Sequence, residues 1–302
     1  MWLEFEVPVL CDGMEMRKFF YQCAVSTDLV RAVKHRGGGF FVDGKPAFTN
    51  VRLAAGQLVS FALPLEDKPP VTPQPELGLD VVYQDAFAVV INKPAGMAVH
   101  PTLGYADGTL ANAWAAWAQQ NGESEIFRPV NRLDRNTSGL LLAAKNSYAA
   151  SFLAQHVQKT YYAIAEGELE LGEGVFDGPI GRAEGSIVTR CVTPDGKPSR
   201  TEYTVLKTSG GYSLSACLPV TGRTHQIRVH FAHSGHPLAG DDLYGGSRNR
   251  IGRHALHCGR LEFSVPVNEK IENRILMHIP LEYAAKTVEI SLPQDMEMLL
   301  KM

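Results

Sequence analysis

The stretch RLDRNTSGLLLAAKN, residues 132–146, combines a turn with a strand. Its first half is rich in Asn, Thr, Ser and Gly, which favour turns, and its second half is a short apolar run typical of a buried strand. The turn would expose the carboxylate of Asp134, which lies between Arg132 and Arg135. Asp134 is therefore a candidate reactive group, and an aspartate that only caps the turn and pairs with an arginine is the alternative.

A second segment, KTYYAIA at residues 159–165, has the aromatic and branched content of a strand. Alternate residues of a strand share a face, so Lys159 and Tyr161 look one way and Tyr162 looks the other. One tyrosine is expected in the core, and the pattern does not say which.

A third segment, GRTHQIRVHFAHSGH at residues 222–236, predicts a helix capped near Thr224, with Ile227 and Phe231 facing inward. Six of the ten histidines lie between His225 and His257, which raises the possibility of a metal site. The Gly-His-Pro sequence that begins at residue 235 should break the helix before a third histidine aligns, and no H-E-x-x-H is present. We therefore favour packing or phosphate contacts over a metal.

The rest of the chain after residue 79 alternates short apolar runs with helical patterns. The runs at 81–83 and 88–91 predict strands, and residues 110–120 and 148–158 predict helices. An α+β domain with a mainly antiparallel or mixed sheet fits this order better than strict βαβ alternation.

A proline-rich stretch at residues 67–75 predicts an extended linker after a small N-terminal module. In that module Ser26 can cap a helix that continues to about Arg36, and an Asp-Gly turn follows a strand that begins at Phe40. Arg31 and Lys34 share one face of the helix, which taken alone indicates a solvated surface.

Composition is that of a soluble globular chain: 302 residues, 45% hydrophobic, 20% charged and a net charge of −3. The charge is segregated, because residues 128–159 hold five basic side chains and one acid, which allows a basic cleft on an acidic body. The start lacks the pattern of a signal or transit peptide, and no apolar run is long enough for a membrane span. The five cysteines are scattered and predict free thiols in a reducing compartment.

Together with NKPAGM at residues 92–97 and His100-Pro101, the three segments resemble the RluA family of pseudouridine synthases, in its RluD-like branch. The resemblance runs from about residue 80 to 280. The N-terminal pattern GGGFFVDGKPAFTNVRLAAGQLVSF resembles the S-four-type RNA-binding domain. The implied fold is α+β, a pseudouridine synthase domain at 79–302 with a mixed, mainly antiparallel central sheet and flanking helices. A linker at 66–78 would join it to a small α/β RNA-binding domain at 1–65.

The resemblance also implies roles for individual residues. Asp134 matches the essential aspartate, Tyr161 the active-site tyrosine and Arg228 the arginine that pairs with the aspartate. The residues expected to contact RNA are Arg31, Lys34, Arg36, Lys45, Arg132, Arg223 and His225. Asn131 stands where the family usually has histidine, and it can still donate and accept hydrogen bonds.

The implied activity is the isomerisation of uridine to pseudouridine in structured RNA, without a cofactor or metal. Large-subunit ribosomal RNA is the first expectation for the substrate and transfer RNA the second, in a cytoplasmic monomer with no membrane partner. Two other functions are considered: a non-catalytic RNA-binding or ribosome-assembly module that has kept the fold, and a histidine-metal hydrolase.

Overall fold

The computed structural model describes residues 1–67, 71–102, 104–279 and 281–301. These residues form the following helices: α1 (Met16–Gln22), α2 (Thr27–Arg36), α3 (Leu110–Asn121), α4 (Ser147–Leu153), α5 (Gln226–His233) and α6 (Gln294–Leu299), with 3-10 turns at Val9–Cys11, Pro75–Leu77 and Asp242–Tyr244. The strands are β1 (Trp2–Glu6), β2 (Phe40–Val42), β3 (Lys45–Ala47), β4 (Leu58–Ala62), β5 (Val81–Gln84), β6 (Ala88–Lys93), β7 (Arg128–Pro129), β8 (Ser138–Ala144), β9 (Val157–Glu166), β10 (Gly172–Asp177), β11 (Ile180–Arg182), β12 (Arg190–Val192), β13 (Arg200–Ser209), β14 (Tyr212–Pro219), β15 (Leu256–Pro266), β16 (Glu269–Ile271), β17 (Arg274–Met277) and β18 (Tyr283–Glu289).

A ten-stranded sheet forms the centre of the larger part of the chain. Its strand order is β10-β13-β14-β9-β15-β8-β6-β5, with β18 beside β15 and β7 beside β8. The pairs in this sheet are antiparallel except for β15 and β8, which run parallel. The predicted α+β fold with a mixed, mainly antiparallel sheet is confirmed.

Strand β8 lies in the interior of this sheet, and all of its residues are buried. Gly139 sits opposite Cys258 of β15, with a φ of 110°. A Cβ at this position would collide with the backbone carbonyl of Cys258, so only glycine allows the two strands to approach this closely. This close approach brings the turn that contains Asp134 next to β9 and β15.

The helices agree with the sequence predictions except at their ends. Helix α3 matches its prediction, but α4 ends at Leu153 rather than near 158, because the chain must turn before β9 begins at Val157. Helix α5 starts after His225, one residue beyond the predicted cap, and ends at His233, before Gly235. None of the helices in the described residues is long and apolar enough to cross a membrane.

The N-terminal part has the local structure that its sequence predicted. The Ser26 hydroxyl accepts a hydrogen bond from the Leu29 amide and caps α2. Asp43 and Gly44 both have positive φ in the turn between β2 and β3, as a two-residue hairpin turn requires.

A second, six-stranded sheet has the order β16-β17-β1-β4-β2-β3. Strand β17 runs parallel to β1, with Trp2 opposite Arg274. The hairpin β16–β17 belongs to the predicted catalytic domain, 79–302, yet it extends the sheet of the predicted N-terminal domain, 1–65. The sequence patterns did not predict that strands from the C-terminal part would pair with the N-terminal sheet.

The predicted linker is only partly within the described residues, since 68–70 lie outside them. On one side of this gap Glu66 forms an ion pair with Arg128 at 2.7 Å. On the other side the carbonyl of Thr72 accepts a hydrogen bond from the Asn112 side chain at 2.9 Å, and the Gln74 side chain accepts one from the Gly108 amide at 2.8 Å. The described ends of the linker therefore pack against the larger part of the chain.

Candidate active site

The Asp134 loop lies between β7 and β8, and hydrogen bonds to its backbone carbonyls fix its position. The Thr137 amide donates to the Asp134 carbonyl at 3.1 Å, and the Gly96 amide donates to the Arg135 carbonyl at 2.9 Å. Lys93, which is fully buried, donates to the same Arg135 carbonyl at 3.1 Å and to two carbonyls of its own loop. Burial, opposed by the negative charge of Asp134, lowers the pKa of Lys93 to about 7. Lys93 lies in the NKPAGM segment but is not among the predicted site residues.

Arg228, on α5, bridges two carboxylates. Its Nη1 lies 3.0 Å from Asp134 Oδ2, while its Nε and Nη2 lie 2.7 and 2.8 Å from the two oxygens of Asp241. Asp241 is 1% exposed and Arg228 is 5% exposed, whereas the side chain of Asp134 is 28% exposed. Asp241 therefore holds the Arg228 guanidinium in the protein interior, and the carboxylate of Asp134 is partly accessible to solvent.

Tyr161, on β9, is the buried member of the tyrosine pair, and Tyr162 is partly exposed. Its hydroxyl is in polar contact with the side chains of Asn131 and Cys258. Burial raises the pKa of the Tyr161 phenol well above its usual value, and the nearby groups Cys258 and Asp134 raise it further. Tyr161 is therefore a neutral phenol at physiological pH.

Asn131, where the family usually has histidine, holds the start of the loop against β8. Its Oδ1 accepts from the Leu142 amide at 2.7 Å, and its Nδ2 donates to the Leu140 carbonyl at 3.3 Å. The Asn131 amide therefore keeps the loop in register with the strand while it also contacts the Tyr161 hydroxyl.

These side chains surround one open cavity of about 600 Å³. The predicted site residues that line it are Arg132, Asp134, Tyr161, Arg223, His225 and Arg228. Arg132 and Arg223 are exposed, and the Arg223 Nε donates to the Pro198 carbonyl at 3.2 Å. Four predicted RNA-contact residues are exposed on the N-terminal part and do not line the cavity: Arg31, Lys34, Arg36 and Lys45.

The histidines have separate partners. His254 and His257 contact the hydroxyls of Thr137 and Ser138, at 2.8 and 2.9 Å. Burial and nearby arginines lower the pKa of His254 to about 2 and of His257 to about 4, so both rings are neutral. In the part of the chain that the structure describes, no group of three or more His, Cys, Asp or Glu side chains has the arrangement of a metal site.

Known proteins are similar to this chain in both sequence and fold. The sequence model of the RNA pseudouridylate synthase family matches residues 88–233. The chain is 34% identical over 293 residues to an uncharacterized RNA pseudouridine synthase of Bacillus subtilis, YjbO, covering 95% of this chain and 99% of that protein. It is 40% identical over 207 residues to ribosomal large subunit pseudouridine synthase D of Nitrosomonas europaea, covering 64% and 60% of the two chains. Human RNA pseudouridylate synthase domain containing 1 aligns with a TM-score of 0.54 at 26% identity, over 76% of this chain and 97% of that one.

The fold and these relatives define an isomerase that acts on uridine in RNA. The chain belongs to the RluA-type family of RNA pseudouridine synthases. The predicted family and enzyme class are confirmed.

Proposed function

We propose that this chain converts uridine to pseudouridine in large-subunit ribosomal RNA, with Asp134 as its catalytic carboxylate and Tyr161 and Arg228 as its partners. The observation that carries the proposal is the placement of Asp134 on the cavity wall, against an arginine that Asp241 anchors from behind. The names of relatives such as the Nitrosomonas europaea enzyme support ribosomal RNA as the substrate, and transfer RNA is the second choice.

The reaction rearranges a nucleoside without net gain or loss of atoms. The bond from N1 to C1′ breaks, the uracil turns, and C5 bonds to C1′; C5 then loses its proton, and N1 gains one. A carboxylate can serve this sequence by attacking the sugar, by attacking the base, or by accepting a ribose proton. Each route uses an oriented, charged carboxylate, which the contact of Asp134 with Arg228 supports.

The uridine must leave its stack to reach Asp134. The cavity has room for a flipped nucleotide, and the Tyr161 ring on its wall offers an aromatic surface for the base. Because its phenol is neutral, Tyr161 would not act as a phenolate base. It would accept the C5 proton at its hydroxyl oxygen as its own hydroxyl proton passes on to Asp134, whose charge acts on the phenol. Arg132 and Arg223 are exposed at the same cavity and would contact the RNA backbone, whereas the ring nitrogens of His225 face Asp134 and Tyr244.

The N-terminal part would add affinity for RNA. We assign residues 1–65 to an S-four-type RNA-binding domain, 66–78 to a linker and 79–302 to the catalytic domain, in a cytoplasmic monomer. The exposed charges of the N-terminal part suit contacts with phosphates, which supply most of the sequence-independent affinity: Arg31, Lys34, Arg36 and Lys45.

Tritium release tests the catalytic assignment. A transcript of large-subunit ribosomal RNA carrying C5-tritiated uridine should release tritium with the wild-type chain. Asp134→Asn should lower this rate by at least about a thousandfold and leave RNA binding largely unchanged. The matched control, Asp177→Asn, alters an exposed carboxylate that pairs with Arg200 outside the cavity, and it should release tritium at the wild-type rate. Retained tritium release by Asp134→Asn would disprove the assignment.

Mapping in cells tests the substrate. Carbodiimide-blocked primer extension on RNA from cells that lack the chain should lose stops at the target uridine of large-subunit ribosomal RNA, and the wild-type gene should restore them. An unchanged pattern in ribosomal RNA with a lost stop in transfer RNA would transfer the proposal to the second substrate. RNA binding without any lost stop would favour the non-catalytic module.

A further inference from the structure

His225 stands beside Asp134 in an unusual backbone conformation. It precedes α5 with a φ of 58° and ψ of 19°, in the left-handed region that non-glycine residues rarely adopt. This conformation costs about 1 kcal/mol, and such strain concentrates at functional sites. It brings the ring between two partners: Nε2 lies 3.7 Å from Asp134 Oδ2, and Nδ1 lies 2.8 Å from the Tyr244 hydroxyl.

The partners of Tyr244 favour one of the two neutral tautomers of His225. The Arg190 amide, on β12, donates to the Tyr244 oxygen at 3.0 Å, because a backbone N–H can only donate. The Tyr244 oxygen thus serves as an acceptor on that side, and its single O–H can donate a hydrogen bond to His225 Nδ1. Burial lowers the pKa of His225. The negative charge of Asp134 opposes this, the positive charge of Arg228 adds to it, and the pKa stays below its ordinary value, so the ring is neutral near pH 7. A neutral ring that accepts at Nδ1 carries its hydrogen on Nε2, facing Asp134.

The consequence falls on the two oxygens of Asp134. Arg228 Nη1 and His225 Nε2 both approach Oδ2. Within the described residues, Oδ1 has no hydrogen-bond donor, and Asp134 lines the cavity. The 3.7 Å separation of His225 from Oδ2 exceeds a hydrogen bond, and such catalytic contacts commonly shorten when substrate binds.

We propose that Tyr244 is a positioning residue that holds His225 as the Nε2–H tautomer, so that His225 and Arg228 together occupy Oδ2 of Asp134 and leave Oδ1 to react with the uridine. The inference rests on the proposed catalytic role of Asp134. It also gives the hairpin β11–β12 a function, since the backbone of Arg190 orients the Tyr244 hydroxyl.

Nitrogen NMR of the full chain tests the tautomer without substrate. In protein labelled with ¹⁵N-histidine, at about pH 7.5, the His225 signals, assigned by their loss in His225→Gln, should show a protonated Nε2 and an unprotonated Nδ1. In Tyr244→Phe the donor to Nδ1 is gone, and the His225 signals should move toward a mixture of tautomers. The matched control is Tyr83→Phe, which removes a hydroxyl bonded to Asp85 at 2.8 Å outside the cavity and should leave the His225 signals unchanged.

Kinetics with the tritiated transcript complete the test. Tyr244→Phe should lower kcat by about tenfold or more with KM little changed, and Tyr83→Phe should match the wild type. A wild-type His225 protonated on Nδ1, or a tautomer or kcat unaffected by Tyr244→Phe, would overturn the inference. The proposed function would still stand if Asp134→Asn is inactive, so the two failures are distinguishable.

Discussion

Arg228 and Asp241 form a buried ion pair with two parallel hydrogen bonds, at 2.7 and 2.8 Å, directly behind the Asp134 carboxylate. Burial lowers the pKa of Arg228, but the hydrogen bonds and charges of Asp241 and Asp134 together outweigh burial and raise the pKa above its usual value. The guanidinium is thereby held charged and in one orientation, with its remaining Nη1–H directed at Asp134.

We expect Asp241→Asn to destabilise the fold and impair catalysis together. Removing one partner of a buried pair lowers the free energy of unfolding by about 3–5 kcal/mol. Here it leaves the Arg228 charge with Asp134, a partly exposed carboxylate, as its partner in the described residues. Urea unfolding and tritium release measure the two effects. The matched control is Asp295→Asn, since Asp295 pairs with Arg253 in the same two-bond geometry at 2.7 and 2.9 Å but is 42% exposed. It should lose about 1 kcal/mol or less. Equal losses of unfolding free energy in the two variants would show that burial does not determine how much an ion pair stabilises the fold.

We expect Tyr161→Phe to keep the aromatic surface and lose proton removal. RNA affinity should stay close to the wild-type value, while tritium release falls by about a hundredfold or more. Filter binding and tritium release measure these quantities. Tyr162→Phe is the control, because its hydroxyl lies 3.2 Å from Glu289 on the opposite face of β9. Full product formation by Tyr161→Phe would confine Tyr161 to packing.

We expect His254→Gln to weaken the dependence of stability on acid. The folded-state pKa of His254 is about 2, and its ordinary value is 6.5. Below pH 6.5 the unfolded chain therefore binds a proton that the folded chain does not, and stability is lost as pH falls, at about 1.4 kcal/mol per pH unit. Between about pH 7.5 and 5, urea unfolding should show wild type losing about 2 kcal/mol more than His254→Gln. His35→Gln, at an exposed position on α2, should follow the wild-type curve. Parallel curves for wild type and His254→Gln would contradict the buried, neutral state.

We expect the double variant Arg31→Ala/Lys34→Ala to bind RNA less tightly at low salt. Each phosphate contact contributes about 0.7–0.9 to the slope of log affinity against log salt, so the slope should fall by about 1.5. Titration of RNA binding at several salt concentrations measures it. The control, Lys207→Ala/Lys301→Ala, removes two exposed charges near the C-terminal helix. An unchanged slope in the Arg31/Lys34 variant would place these charges away from the RNA.

Local patterns predicted the local structure well. The apolar run at 140–144 became β8, Ser26 capped α2, and the Asp-Gly pair became a hairpin turn, because each depends on neighbours in the chain. Six of the predicted site residues also line the cavity. The resemblance to a known family, and not local sequence pattern, grouped them into one site.

Partners that meet only in the folded chain were not predictable in the same way. Asp241 and Tyr244 follow α5 in a loop with no helical or strand period, and nothing in that loop shows which arginine or histidine they reach. The signal in that loop is the DDLY sequence at residues 241–244, which shows two acids and a tyrosine but not their partners. The position of Lys93 at the end of an apolar strand does not predict its burial under the Asp134 loop, because that burial depends on a tertiary contact.

The parallel pairing of β1 with β17 also constrains how the chain folds during synthesis. Strand β1 is synthesised well before its partner β17, so one edge of β1 stays open in the meantime. Open strand edges invite pairing with other chains. A fragment that ends at residue 65 would keep that edge permanently, and we expect it to self-associate unless a peptide spanning β16 and β17 is supplied.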